Sequence, residues 1–135
     1  AIESGGDAGN LQVLKSWLTP FSHHMFPSVE VRIDGGLDKA RIRVVADEAF
    51  DVYFENVLGL KLTDESWDAN IRFCINRQVE RLCSYTWHKS SWLQEVEAVR
   101  WAYSMRTEVV HYVILGGDQN IEILGCGPTI TRTTA

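Results

Sequence analysis

Hydrophobic positions alternate most clearly near the C-terminal end, from Thr107 to Gly127. Val109, His111, Val113 and Leu115 fall on one side of an extended chain, and Val110, Tyr112 and Ile114 on the other. Two strands joined by a tight polar turn are expected here. Both faces of the first strand are apolar, so both need a cover, which either a helix or a second subunit would supply. A second alternation runs through Val29, Val31 and Ile33, then Ile42 and Val44, with Glu30, Arg32, Arg41 and Arg43 between them. The intervening Asp34-Gly35-Gly36-Leu37-Asp38 provides turn residues, so this is a hairpin with one wet and one dry face. Residues 47–58 fit two periods. Phe50, Val52 and Phe54 alternate as in a strand, whereas Phe50, Phe54, Val57 and Leu58 make a helical stripe. A third strand or a short helix remains open there, ended by Gly59.

Helical spacing dominates elsewhere. Asn10 is placed to cap a helix over LQVLKSWL, with Leu11, Leu14, Trp17 and Leu18 on one stripe. It ends before Pro20 or restarts through Phe21 to Phe26. Thr63-Asp64-Glu65 opens a long helix whose stripe is Trp67, Ile71, Cys74, Ile75, Val79, Leu82 and Cys83. Ser91 with Gln94 makes a capping-box pattern before a stripe of Trp92, Val96, Val99 and Tyr103, widened by Leu93 and Trp101. Residues 1–9 and 129–135 read as loose polar tails. Strands and helices are segregated rather than alternating. The expected fold is therefore α+β: one domain over 1–135, with a mostly antiparallel sheet of four to five strands packed against two to three helices.

Composition adds three constraints. A chain of 135 residues buries roughly two-thirds of its unfolded surface, enough for a core without staples. A net charge of −5, with Lys and Arg scattered singly, argues against nucleic acid. Three cysteines, Cys74, Cys83 and Cys126, are odd in number and form no C-x-x-C pair. Reduced thiols and a cytoplasmic location are the expectation, and no apolar run is long enough to span a bilayer. Cys74 and Cys83 read as small buried hydrophobes.

Candidate chemistry is sparse. His111 lies among aliphatic residues, where a histidine is either a general base or ligand poised by a carboxylate, or a hydrogen-bonded core group. Glu122 on the partner strand is the candidate neighbour. A loop of roughly five residues does not fix the register, so their meeting is open at this point. Gly116-Gly117-Asp118-Gln119-Asn120 has no phosphate-loop pattern and reads as a turn. His23, His24, His88 and His111 show no metal-ligand spacing, so neither metal nor cofactor is expected. The five Trp residues are unusual for this length. Trp87, Trp92 and Trp101, with Tyr85 and Tyr103, would line a pocket mouthed by His88, or else serve core and subunit interface. Together with His111, Tyr112 and Glu122 these make the candidate pocket. Asp47, Glu48, Asp51, Glu55, Asp64, Glu65 and Asp68 form an acidic stretch. They either meet a basic partner such as a nuclease toxin, with Asp47, Glu48, Asp51 and Glu55 foremost, or make a solvated face.

Residues 111–124, HYVILGGDQNIEIL, resemble the closing hairpin of small uncharacterised bacterial proteins, some of them immunity proteins to secreted toxins. The resemblance covers about 20 residues of the chain and implies no binding residues. The ending Thr134-Ala135 is compatible with the reading frame of a mobile integron gene cassette. With no catalytic signature, the first expectation is a cytoplasmic protein-interaction module of immunity or regulatory type. It would be a homo-oligomer, with no membrane or nucleic-acid partner. The second is a small-molecule binder or unassigned enzyme with a pocket between sheet and helices.

Overall fold

The computed structural model describes residues 13–24, 27–33, 39–64, 82–88, 90–100, 109–117 and 119–133. Nine strands and one helix are assigned among them: β1 (Val13–Ser16), β2 (Ser28–Ile33), β3 (Ala40–Val45), β4 (Ala49–Phe54), β5 (Asn56–Asp64), β6 (Ser84–His88), α1 (Ser91–Arg100), β7 (Val110–Leu115), β8 (Gln119–Cys126) and β9 (Thr129–Thr133). They build two antiparallel sheets, β1-β6-β7-β8-β5 and β2-β3-β4-β9. The expected α+β layout with two to three helices is therefore overturned. Among the described residues this is a β-sandwich with a single helix.

The core explains the arrangement. Ile42, Val44, Phe50, Val52 and Phe54 from the four-stranded sheet meet Tyr112, Ile114, Ile121 and Ile123 from the five-stranded one, with Phe21 and Cys83 between them. Alternation puts these residues on one face of each strand, and stacking the two dry faces removes them from water. The hairpin of β2 and β3 forms as expected, with Val31 opposite Ile42. The ambiguous 47–58 segment resolves into the end of a turn, β4 and the start of β5. Its strand alternation matches the buried positions Phe50, Val52 and Phe54. Gly59 does not end it; Gly59 lies inside β5, beside a register shift after Val57.

One two-stranded ribbon belongs to both sheets. β4 pairs with β9 in one, and β5 pairs with β8 in the other. The chain passes between the sheets at Glu55 on one strand and at Gly127-Pro128 on the other. Gly127 takes φ 45°, the left-handed region that glycine enters most cheaply. The expected C-terminal tail is corrected by this, since Thr129–Thr133 is the sheet strand β9.

The N-terminal helix is also corrected. Val13–Ser16 is β1, paired with β6. Its helical stripe was a coincidence of spacing. Leu14 is buried facing Trp87 across the pair, Trp17 turns against Tyr112, and Leu18 is 73% exposed. Residues beyond β1 are pinned by polar bonds: Ser84 Oγ donates to Trp17 O at 2.7 Å and Cys83 N to Ser22 O at 2.8 Å. The long helix expected from Thr63 cannot start there, because Thr63 and Asp64 close β5. Its interior, 65–81, lies outside the described residues, as does the N-terminal cap Asn10.

A mixed-charge outer face on the four-stranded sheet opposes Glu30, Arg43 and Asp51 on neighbouring strands. The outer face of the five-stranded sheet differs: His111, Val113, Glu122, Leu124, Tyr85 and Trp87 are all buried there. No helix among the described residues is long and apolar enough to cross a membrane.

Candidate functional site

The buried outer face of the five-stranded sheet holds the one polar constellation among the described residues that joins His, Glu and Ser. Strand register creates it. His111 stands opposite Trp87 on one side and Leu124 on the other, while Glu122 stands opposite Val113 and Lys61. His111 and Glu122 are thus diagonal neighbours on one face, within reach of long side chains. His111 Nε2 lies 2.8 Å from Glu122 Oε1, with both side chains almost fully buried. The meeting left open by the sequence does occur.

Helix α1 completes the group. Its cap is Ser90, one residue before the serine expected from the capping pattern. Leu93 N donates to Ser90 Oγ at 3.1 Å, and Gln94 N donates to Ser90 O at 3.0 Å. The same Oγ lies 2.6 Å from His111 Nδ1. A carboxylate only accepts, so Nε2 presents its N–H to Glu122. Ser90 Oγ accepts from Leu93 N, and its remaining lone pair and its proton let it either accept from or donate to Nδ1. Helix start, imidazole and carboxylate form one hydrogen-bonded line.

Aromatic rings wall this line. Trp87 stacks on His111, with centroids 5.3 Å apart and planes at 29°. Trp92 meets His111 edge-on at 5.2 Å and 85°. Trp92 reaches the sheet because Gly59 leaves room: a Cβ there would sit 2.5 Å from Trp92 Cζ2. On the other side Lys61 Nζ lies 4.3 Å from the centre of the Trp92 ring. Leu93 packs beside it on Val109, Leu124 and Cys126. α1 therefore covers part of the second apolar face of β7.

Two buried side-chain atoms on this face lack a hydrogen-bond partner among the described residues: Trp87 Nε1 and Thr63 Oγ1. A buried donor without an acceptor costs about 1–3 kcal/mol, so an indole N–H is rarely left this way without a reason.

Of the pocket residues expected from sequence, His111, Glu122, Trp87 and Trp92 come together. Tyr112 does not, since it points into the sandwich against Trp17 and Phe54 at 4.9 and 5.2 Å. His88 is exposed at the end of β6, with Nε2 3.4 Å from Thr86 Oγ1. Trp101 lies outside the described residues. Ser90, Lys61 and Gly59 were missed, because only the register of β5 on β8 and the true helix start bring them in.

The foremost acidic residues do not gather. Asp47 and Glu48 occupy the β3–β4 turn, Asp51 lies mid-strand opposite Arg43, and Glu55 sits at the far end of β4. Glu48 is paired with Arg132 at 2.9 Å, and Asp47 lies 3.9 Å from His24. Cys83 is the small buried hydrophobe expected: its thiol donates to Phe21 O at 3.1 Å, and burial raises its pKa to about 11, against a smaller lowering by a backbone hydrogen bond. Cys74 lies outside the described residues.

No family model matches the chain, and neither the curated proteins nor the solved structures contain a match to it.

Proposed function

We propose that the chain is a small-molecule-binding protein whose site is the helix-covered face of the five-stranded sheet, anchored by His111 and Glu122 and walled by Trp87 and Trp92. One observation carries the reading. A hydrogen-bonded imidazole and carboxylate are buried together with an unsatisfied indole N–H in an aromatic surround. Ligand sites have this composition, mostly apolar with a few convergent polar groups. A buried pair of this kind is weak evidence for a purely stabilising role, since replacing a buried polar pair by apolar residues is often neutral or better. The role assigned is binding rather than catalysis. Ser90 Oγ is buried and shared between the helix cap and His111, so it orients the imidazole and is poorly placed to attack a substrate.

The interaction-module reading rested on the acidic stretch, the absence of a catalytic signature and the excess of Trp, and the expectation of a second copy on an uncovered apolar face. Asp47, Glu48, Asp51 and Glu55 lie apart, and α1 lies over part of the second face of β7. Neither observation now favours a basic partner or a second copy.

A fragment screen read by histidine ring NMR tests the proposal. With four histidines in the chain, the His111 resonances are separable by a His111→Gln control. Hits that shift His111 and raise the melting temperature are the expected result. Hits confined to other histidines, or none at all, would overturn it.

A further inference from the structure

The four-stranded sheet carries a second surface, separate from the helix-covered face. Among the described residues β2 has one strand neighbour, β3, so its far side is an edge. Unpaired edges template pairing with another chain. The β7–β8 turn sits on the first half of this one. Gly117 N donates to Pro27 O at 2.9 Å, and Gln119 Nε2 donates to Val29 O at 3.4 Å. Gly116 permits the approach, since a Cβ there would lie 2.6 Å from Val29 Cγ2 and 3.2 Å from Pro27 O. The carbonyls of Pro27 and Val29 thus face away from β3. Backbone groups alternate in direction along a strand, so Val31 and Ile33 turn theirs the same way. Neither of these two bonds to the described residues of the turn.

The edge is complementary to itself, as a twofold interface requires. In an antiparallel pair of two β2 strands centred on Val31, Glu30 stands opposite the second copy's Arg32, and Arg32 opposite its Glu30. Both charged side chains are available, at 60% and 65% exposure. Arg32 faces Arg41 across the β2–β3 pair, a like-charged contact that a carboxylate on its other flank offsets. Ile33, 45% exposed, comes to lie opposite the second copy's Val29. That place beside Val29 is the one the turn now holds. We infer that β2 is a self-pairing edge kept closed by the β7–β8 turn, and that two copies join through it, β2 to β2 about Val31, once the turn lifts.

Sedimentation equilibrium of wild type, Gly116→Ala and Gln119→Ala tests this, with circular dichroism confirming the fold. Gly116→Ala pushes the turn off β2 by direct contact. Gln119→Ala removes one bond without a clash, so it carries the test if the first variant fails to fold. Each should self-associate about tenfold or more tightly than wild type. Adding Glu30→Arg sets arginines together across the pair and should return the protein to monomer; adding Arg32→Glu as well should restore the dimer. Cysteine pairs fix the register. Directly opposed residues of a hydrogen-bonded antiparallel pair lie about 5.5 Å apart at Cα, within disulfide range. Val31→Cys in the Gly116→Ala or Gln119→Ala background should therefore link two copies by a disulfide, and Ile33→Cys should not. Association no tighter than wild type in the folded turn variants, dimers indifferent to Glu30→Arg or not restored by Arg32→Glu, or linkage through Ile33→Cys instead of Val31→Cys would each overturn the inference.

Discussion

At the level of single residues, the His111–Glu122 pair sets the energetic stakes. Removing one partner of a buried pair leaves the other charge or dipole uncompensated, at about 3–5 kcal/mol, whereas removing both can be close to neutral. His111→Leu should therefore destabilise the protein by about that amount in urea unfolding, and His111→Leu with Glu122→Leu by clearly less. A double variant worse than the single would mean that the pair is not what the imidazole provides. Cys83 gives a second residue-scale test. Its folded pKa of about 11 lies above the ordinary 9.0 because burial disfavours the thiolate. A raised folded pKa means stability that is fully present below pH 9 and lost as pH climbs through 11, since the unfolded chain ionises first. The shift corresponds to roughly 3 kcal/mol. Unfolding curves of wild type and Cys83→Ala should converge or cross between those pH values, and thiol reagents at pH 8 should spare the native protein. Parallel curves from pH 8 to 11 would show that the thiol is not desolvated.

Among elements, α1 is the one whose placement depends on a single small residue. At Gly59 a methyl group would stand 2.5 Å from the Trp92 indole. Two effects oppose each other in Gly59→Ala. Lower unfolded-state entropy stabilises by about 0.4–1 kcal/mol. Overpacking a rigid ring costs typically about 1–3 kcal/mol. The clash should win, and amide exchange across the first turn of α1 should quicken. Pairing Gly59→Ala with Trp92→Leu should cost less than the two single losses together, because the shorter side chain vacates the contact. Slow exchange unchanged by Gly59→Ala would show that Trp92 does not hold the helix. Gly59 also shows how much the sequence could disclose. Read locally, glycine after an apolar run looks like a stop, and nothing within ten residues announces an indole arriving from Trp92. The hairpins were legible because alternation is a local signal: β2, β3, β7 and β8 appear where Val, Ile and Tyr positions alternate. The 11–18 stripe misled because helical spacing of Leu14, Trp17 and Leu18 also fits a short edge strand and the turn after it, where Leu14 is buried, Trp17 packs on the inter-sheet core and Leu18 is exposed. His111 and Glu122 were visible as candidates. Their contact needed the register, and Ser90 and Lys61 needed tertiary structure altogether.

For the whole molecule, the decisive feature is the ribbon of β4–β5 and β8–β9 that bends from one sheet into the other. Because the same two chain segments pair on both sides of the bend, the sheets share backbone hydrogen bonds as well as a core. Separating the layers would expose Phe50, Phe54, Ile121 and Ile123 together, so no layer keeps its dry face alone. A single cooperative transition follows. Trp17 reports on the inter-sheet core and Trp87 with Trp92 on the helix-covered face, so single-tryptophan variants can watch the two regions separately. Their midpoints in denaturant should coincide with each other and with circular dichroism. Gly127 makes the test sharper. Its φ of 45° penalises any Cβ, while no atom lies within 4 Å of where that Cβ would be, so Gly127→Ala adds backbone strain alone, about 1–2 kcal/mol. If the whole molecule unfolds as one unit, this strain at the corner lowers both tryptophan midpoints by the same amount, although Trp17 lies on the inner and Trp92 on the outer side of the five-stranded sheet. A drop seen by Trp17 alone would show that the inter-sheet core opens while the helix-covered face keeps its packing, and that strain at the bent ribbon is not felt across the whole molecule.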